Sequence, residues 1–139
     1  GHTIANHGLD HKRLGYLPAP IVRNQIVESQ LRIESACGIK PKFFRPPFGN
    51  WFPWLNKIPQ ALGLTLFFWS LNPRDYAAKN PLDISQCITN NVCAGDIILH
   101  HCSGKGEKHT LAALTLILDS LKDLEMCVLD PASLLELVE

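Results

Sequence analysis

Residues 95–124, GDIILHHCSGKGEKHTLAALTLILDSLKDL, read as one strand followed by one helix. Gly95-Asp96 leads into Ile97-Ile98-Leu99-His100-His101, an apolar run of strand length. Past a polar loop, Leu111, Leu114, Leu118 and Leu121 return at i, i+3, i+7 and i+10 with Ile117 alongside, which predicts a helix over 110–124. A strand without polar alternation is expected to be covered on both faces, as in a parallel α/β sheet or barrel.

The same alternation recurs on either side of this unit. Pro20 suits a first helical position, and Ile21, Val22, Ile26, Val27, Leu31 and Ile33 follow at roughly helical spacing until Gly38. Phe43-Phe44 predicts a short strand that breaks at Pro46-Pro47. A helix is expected over 51–62, a strand near Leu64–Trp69, and a helix over 81–92. Met126–Leu129 reads as a last strand and Ala132–Val138 as a last helix. Only four or five βα units are present, whereas a closed eight-unit barrel takes ~250 residues. The expectation is therefore an open sheet, a reduced barrel or part of one, with mostly parallel strands. Arg45, Asn72 with Asp75, and His101 fall at the C-terminal ends of the strands, the edge on which α/β proteins build sites.

A chain of 139 residues suffices for a single domain with a core. Hydrophobic residues make up 46% and charged residues 19%, a globular balance. Thirteen Lys and Arg against thirteen Asp and Glu leave no basic excess, which argues against a nucleic-acid groove or an anionic-membrane module. The apolar runs reach about half the ~20 residues of a membrane span. Five Cys, an odd number without metal-ribbon spacing, argue against a disulfide scaffold or a Cys-rich zinc finger. The opening Gly1-His2, with neither initiator Met nor signal peptide, raises the expectation that the numbering does not begin where the protein begins.

Several residues can carry chemistry. His7 and His11 are four apart, so one helical turn would point both imidazoles the same way, toward a divalent metal. The same spacing also suits surface or capping residues, and Asp10 between them would point elsewhere. Arg45 opens a stiff Pro46-Pro47-Phe48-Gly49 loop that can hold a guanidinium and a backbone N–H for a carboxylate and an oxyanion, or can be a plain surface turn. His101, with Asp75 near the preceding strand end, has the makings of an oriented general acid; a structural His is the alternative. Strand alternation sends Cys102 away from His101 and into packing, which sets aside a thiol nucleophile. His2 and His100 read as packing or hydrogen-bonded strand residues, and His109 as a loop residue. Trp51 and Trp54 are candidates to line a sugar groove, Trp69 belongs to the core, and Gly104 to Lys108 form a solvated flexible loop.

In order and spacing these segments resemble the polysaccharide deacetylases, the NodB-homology or carbohydrate esterase family 4 proteins. The resemblance rests on Gly1-His2-Thr3-Ile4-Ala5-Asn6-His7 with His11, Phe44-Arg45-Pro46-Pro47-Phe48-Gly49, Asn72-Pro73-Arg74-Asp75-Tyr76 and Leu99-His100-His101, and it runs to Leu134-Leu135-Glu136. It implies a partial, distorted (β/α) barrel over residues 1–139, read as one domain incomplete at its N-terminus. It implies hydrolysis of an N-acetyl group from an amino sugar in a polysaccharide or oligosaccharide. His7 and His11 would be two of three protein ligands to a divalent metal, usually zinc. The Phe48 backbone N–H would hold the oxyanion, Arg45 would position the catalytic base, and His101 would protonate the departing amine with Asp75 orienting it. Tyr76 and Trp51 would meet the substrate, an N-acetylated carbohydrate. No segment matches the family's Thr-Phe-Asp-Asp motif, which supplies the base and the third ligand; the expectation is that it lies upstream of Gly1. Gly8 stands where Ser or Thr is usual, and Asn72 and Tyr76 replace an Asp and a Trp. An inactive sugar-binding relative and a hydrolase of non-sugar amides are the competing readings. A secreted, periplasmic or cell-surface location is favoured by the resemblance.

Overall fold

The structure is a computed structural model that describes residues 1–104 and 106–136. Its contacts gather into two compact units, Gly1–Phe68 and Trp69–Glu139.

In the first unit, helix α1 (Ala19–Cys37) begins with Pro20 in its first turn and ends at Gly38, whose φ of 70° lets its N–H reach Glu34 O at 2.8 Å. Only part of the apolar stripe read from the sequence is buried. Val22 and Ile26 are inside, but Ile21 and Leu31 face solvent, and Gln25, Ser29 and Gln30 share the buried face. Gln25 clasps Asp10, and the Ile26 carbonyl accepts from the Asn6 amide at 2.8 Å. Strands β1 (Phe43–Phe44) and β2 (Thr65–Leu66) pair in parallel, Phe43 opposite Thr65 and Phe44 opposite Leu66. Asn6 bridges the free edge of β1, also in parallel. His7 and Arg45 therefore leave the ribbon side by side at the same end. Leu14, Val22, Ile26, Phe44, Leu55 and Leu64 form the core beneath. The helix expected over 51–62 is broken up. A 3-10 turn at Pro53–Leu55 precedes the five-residue helix α2 (Lys57–Ala61). Pro53 lacks an N–H and holds Phe52 extended (φ −123°, ψ 146°), so no helix can start at Trp51.

In the second unit, helix α3 (Pro81–Thr89) is capped by the Asn80 side chain, which accepts from the Asp83 N–H at 2.9 Å. Its Ile84 and Ile88 pack against Ala113, Ile117 and Leu121 of helix α4 (Glu107–Asp123). Of the sequence stripe on α4, Leu121 is buried together with Ile117, whereas Leu111, Leu114 and Leu118 are exposed. The helix is apolar on more than one side, and α3 covers one of them. The run 97–101 makes a single parallel bridge, Leu71 with Ile98, rather than a strand. Met126–Leu129 is not a strand either. A ladder needs a partner edge; Met126 instead donates its N–H to Leu121 O at 2.8 Å, and Val128 and Leu129 are exposed. The last helix, α5 (Pro131–Glu136), covers most of the expected one, and residues 137 and 138 lie outside the described residues. Among the described residues no helix is long and apolar enough to cross a membrane.

Candidate active site

The first unit carries the histidine pair. Residues 7–11 are irregular, with Gly8 at φ 77° and His11 at φ 48°, so no helical turn unites the two imidazoles. The loop does so instead, bringing the ring centroids to 5.1 Å. Buried Asn6 pins its base, taking the Gly8 N–H at 2.9 Å while its amide reaches Ile26 O. His7 Nδ1 lies 2.6 Å from the Arg45 carbonyl oxygen. A carbonyl can only accept, so Nδ1 carries the hydrogen and the neutral ring has its lone pair on Nε2, the tautomer of a metal ligand. Asp10 is committed elsewhere, to Gln25 Nε2 at 2.9 Å and Lys12 Nζ at 3.0 Å.

The Arg45 loop lies against this pair. Phe48 sits at φ 60°, a left-handed backbone for a side chain other than glycine. Its ring packs on His11 at 4.6 Å, and the Arg13 guanidinium stacks over it at 4.7 Å. Arg45 is half-buried, its Nε donating to Phe67 O at 3.4 Å and its guanidinium over the Phe67 ring; burial pushes its pKa down. Trp51 packs edge-on against Phe44 and donates Nε1–H to Asn56 Oδ1, so most of its indole serves the core, while Trp54 is exposed. Two imidazoles with one tautomer fixed fit two positions around a divalent ion. Among the described residues no group of three or more His, Cys, Asp or Glu gathers at one point.

The second unit carries a carboxylate–imidazole pair. Asp75 opens a 3-10 turn (Asp75–Ala77) and is fully buried. Its Oδ1 accepts from His101 Nδ1 at 2.7 Å and from the Tyr76 N–H at 3.0 Å; Oδ2 accepts from the His101 N–H at 2.7 Å and from Thr110 Oγ1 at 2.9 Å. Burial opposes the charge, but the bonds from the His101 backbone and ring and from Thr110 outweigh it and hold Asp75 below the usual carboxylate range. With Nδ1 bound to the carboxylate, His101 offers Nε2 for proton transfer, and the Tyr76 ring meets it edge-on at 5.2 Å.

Thr110 and Gly106 escaped the sequence reading. A Cβ on Gly106 would strike Asp75 O and come within 2.9 Å of Tyr76 Cα, so this glycine lets α4 dock on the turn that holds the carboxylate. It is buried, not part of a solvated loop, and His109, read as a loop residue, lies in the first turn of α4. Cys102, expected in packing, is exposed: residues 101–102 are not strand, so alternation does not govern them. His100 is half-buried beside Asp75.

The family model for polysaccharide deacetylase matches residues 1–67. Over 134 residues the chain is 32% identical to a chitooligosaccharide deacetylase of Azorhizobium caulinodans, covering 88% of this chain and 64% of that protein. A family 4 carbohydrate esterase from Streptomyces lividans superposes with a TM-score of 0.82 at 29% identity, over 90% of this chain and 63% of that one. A peptidoglycan N-acetylglucosamine deacetylase superposes with a TM-score of 0.91 at 27% identity, over 96% of this chain and 63% of that one. Over most of its length the chain is similar to polysaccharide deacetylases. Its fold is the α/β fold of those enzymes, and it spans slightly under two thirds of the length of each of these three.

Proposed function

We propose that this chain contributes to a carbohydrate N-deacetylase, hydrolysing an N-acetyl group from an amino sugar to release acetate and a free amine. The observation that carries the reading is the buried Asp75 with His101 bound to it through Nδ1. An imidazole so oriented can hand a proton from Nε2 to the departing amine, and Asp75 stabilises the imidazolium beforehand. His7 and His11 would hold a divalent metal, zinc being the candidate, and such an ion when bound polarises an amide carbonyl and acidifies water. The Arg45 carbonyl fixes the His7 ring, and Phe48 packs the His11 ring in place. The Phe48 N–H is the proposed oxyanion donor, and the Tyr76 ring shapes the approach to His101. The substrate class, N-acetylated oligo- or polysaccharide, is supported by the relatives named for chitooligosaccharide and peptidoglycan deacetylation.

The test is acetate release from N-acetylated chitooligosaccharides and from peptidoglycan by the protein carrying this chain, with zinc supplied. Loss of release in His101→Ala with the fold intact is the expected result. Full activity in that variant would refute the assignment of the acid.

A further inference from the structure

The Asp75 carboxylate accepts two hydrogen bonds at each oxygen, from His101, Tyr76 and Thr110. A carboxylate has about four acceptor sites, so its capacity is filled. The His100 ring nevertheless stands beside it. Its Nδ1 lies 3.7 Å from Asp75 Oδ2, outside hydrogen-bond range, and is buried without a hydrogen-bond partner among the described residues. A buried ring nitrogen left unsatisfied costs stability, and an apolar residue would fill the same place without that cost.

We propose that His100 is a positioning residue: a second imidazole on Asp75 that leaves the carboxylate to His101 while neutral and competes for it once protonated. The idea rests on the deacetylase reading, in which His101 is the acid. While His100 is neutral, the anion favours the tautomer with hydrogen on Nδ1, and the ring adds a weak favourable dipole to Oδ2. Among the described residues, Asp75 and His101 are the charged or titratable groups acting on the ring; α4 brings the Thr110 hydroxyl to the same carboxylate, and that group does not titrate here. Burial pushes the His100 pKa down, attraction to Asp75 offsets part of this, and the charge on His101 lowers it again. Protonation therefore comes on the acid side of an ordinary histidine. The charged ring can then bond Oδ2 only by displacing the His101 N–H or Thr110. The charged His100 ring and the His101 ring then share one carboxylate, and His101 loses its fixed orientation.

The test is a pH titration of the histidine rings by 15N NMR on this chain, in the wild type, His101→Gln and Asp75→Asn. In the wild type, His100 should protonate below pH 6.5, and the His101 ring signals should show an inflection at the same pH. His101→Gln should raise the His100 midpoint by at least half a pH unit, because a repelling charge is gone and the carboxylate is released. Asp75→Asn should lower it. In the active protein, His100→Leu should reduce the slope of the acid limb of the rate profile from two protons toward one, a change that a purely structural role would not produce. An unchanged His100 midpoint in both variants would overturn the proposal. So would His101 signals in the wild type that ignore His100 protonation, a measurement that depends on no variant folding. Acetate release with uncoupled rings would overturn this inference alone; coupled rings without acetate release would refute the deacetylase reading and leave the coupling standing.

Discussion

Thr110→Val removes one of the four donors on the buried Asp75 carboxylate and keeps the shape of the side chain. Thr110 Oγ1 lies 2.9 Å from Asp75 Oδ2 and 3.2 Å from the Gly106 carbonyl, so the carboxylate is the nearer acceptor. Both residues are buried, and water cannot readily replace the lost donor. A hydrogen bond to a charged group contributes about 2 kcal/mol, so the variant should be less stable by that amount at pH 7. For a chain of this length that corresponds to a fall in Tm of roughly 6 °C or more. In an Asp75→Asn background the cost should drop to about 1 kcal/mol, because charge-assisted bonds are about twice as strong as neutral ones. Acid should have the same effect. Asp75 is held below its ordinary value of 3.8, so its stabilisation is complete above that pH and is lost as pH falls through the depressed value. Urea unfolding of the wild type, both single variants and the double variant measures the coupling. Equal cost of Thr110→Val in both backgrounds, or a cost below about 0.5 kcal/mol in the wild type, would refute the network as the support of the carboxylate.

Gly106→Ala should destabilise the second unit by about 2 kcal/mol or more, since the added Cβ meets backbone atoms of Asp75 and Tyr76 that cannot move aside singly; chemical denaturation reads this directly. If the proposed deacetylase reading holds, His101→Ala should lower kcat by ~10²–10⁴-fold, whereas Cys102→Ala, at an exposed position, should leave kcat and KM within about twofold. On the proposal that His7 and His11 are the protein ligands, the chain should bind zinc no more tightly than micromolar by isothermal titration, and His7→Ala should abolish the signal. Nanomolar affinity would reveal a further ligand.

The sequence made local boundaries legible. Gly38 stops α1 because a left-handed residue is needed there, and α3 starts at Pro81, where the helical signal over 81–92 begins. The parallel pairing of β1 with β2 was legible from two apolar runs separated by helical signal. The errors have tertiary causes. Met126–Leu129 has strand composition but no partner edge among the described residues, and α4 offers apolar residues on more than one side, between which the position of α3 decides. His7 and His11 were found by a spacing rule for helices, yet a loop with left-handed turns at Gly8 and His11 brings them together. Thr110 and Gly106 were silent for a similar reason. A threonine in the first turn of a helix and a glycine before it are commonplace, and their contacts lie about thirty residues back along the chain, at Asp75 and Tyr76.

The left-handed backbone of Phe48 has a consequence for how this loop can vary. Holding a bulky residue at φ 60° costs of order 1–3 kcal/mol, which the surrounding fold has to offset. Glycine would adopt that backbone without strain, and Phe48→Gly could therefore leave the folded chain as stable as before. The same change would remove the ring that Arg13 and His11 both pack against, and both side chains would gain rotational freedom. Selection for thermal endurance alone would be free to drift toward glycine here. At this position the contact of a phenylalanine ring with an imidazole comes with a backbone conformation that disfavours the residue.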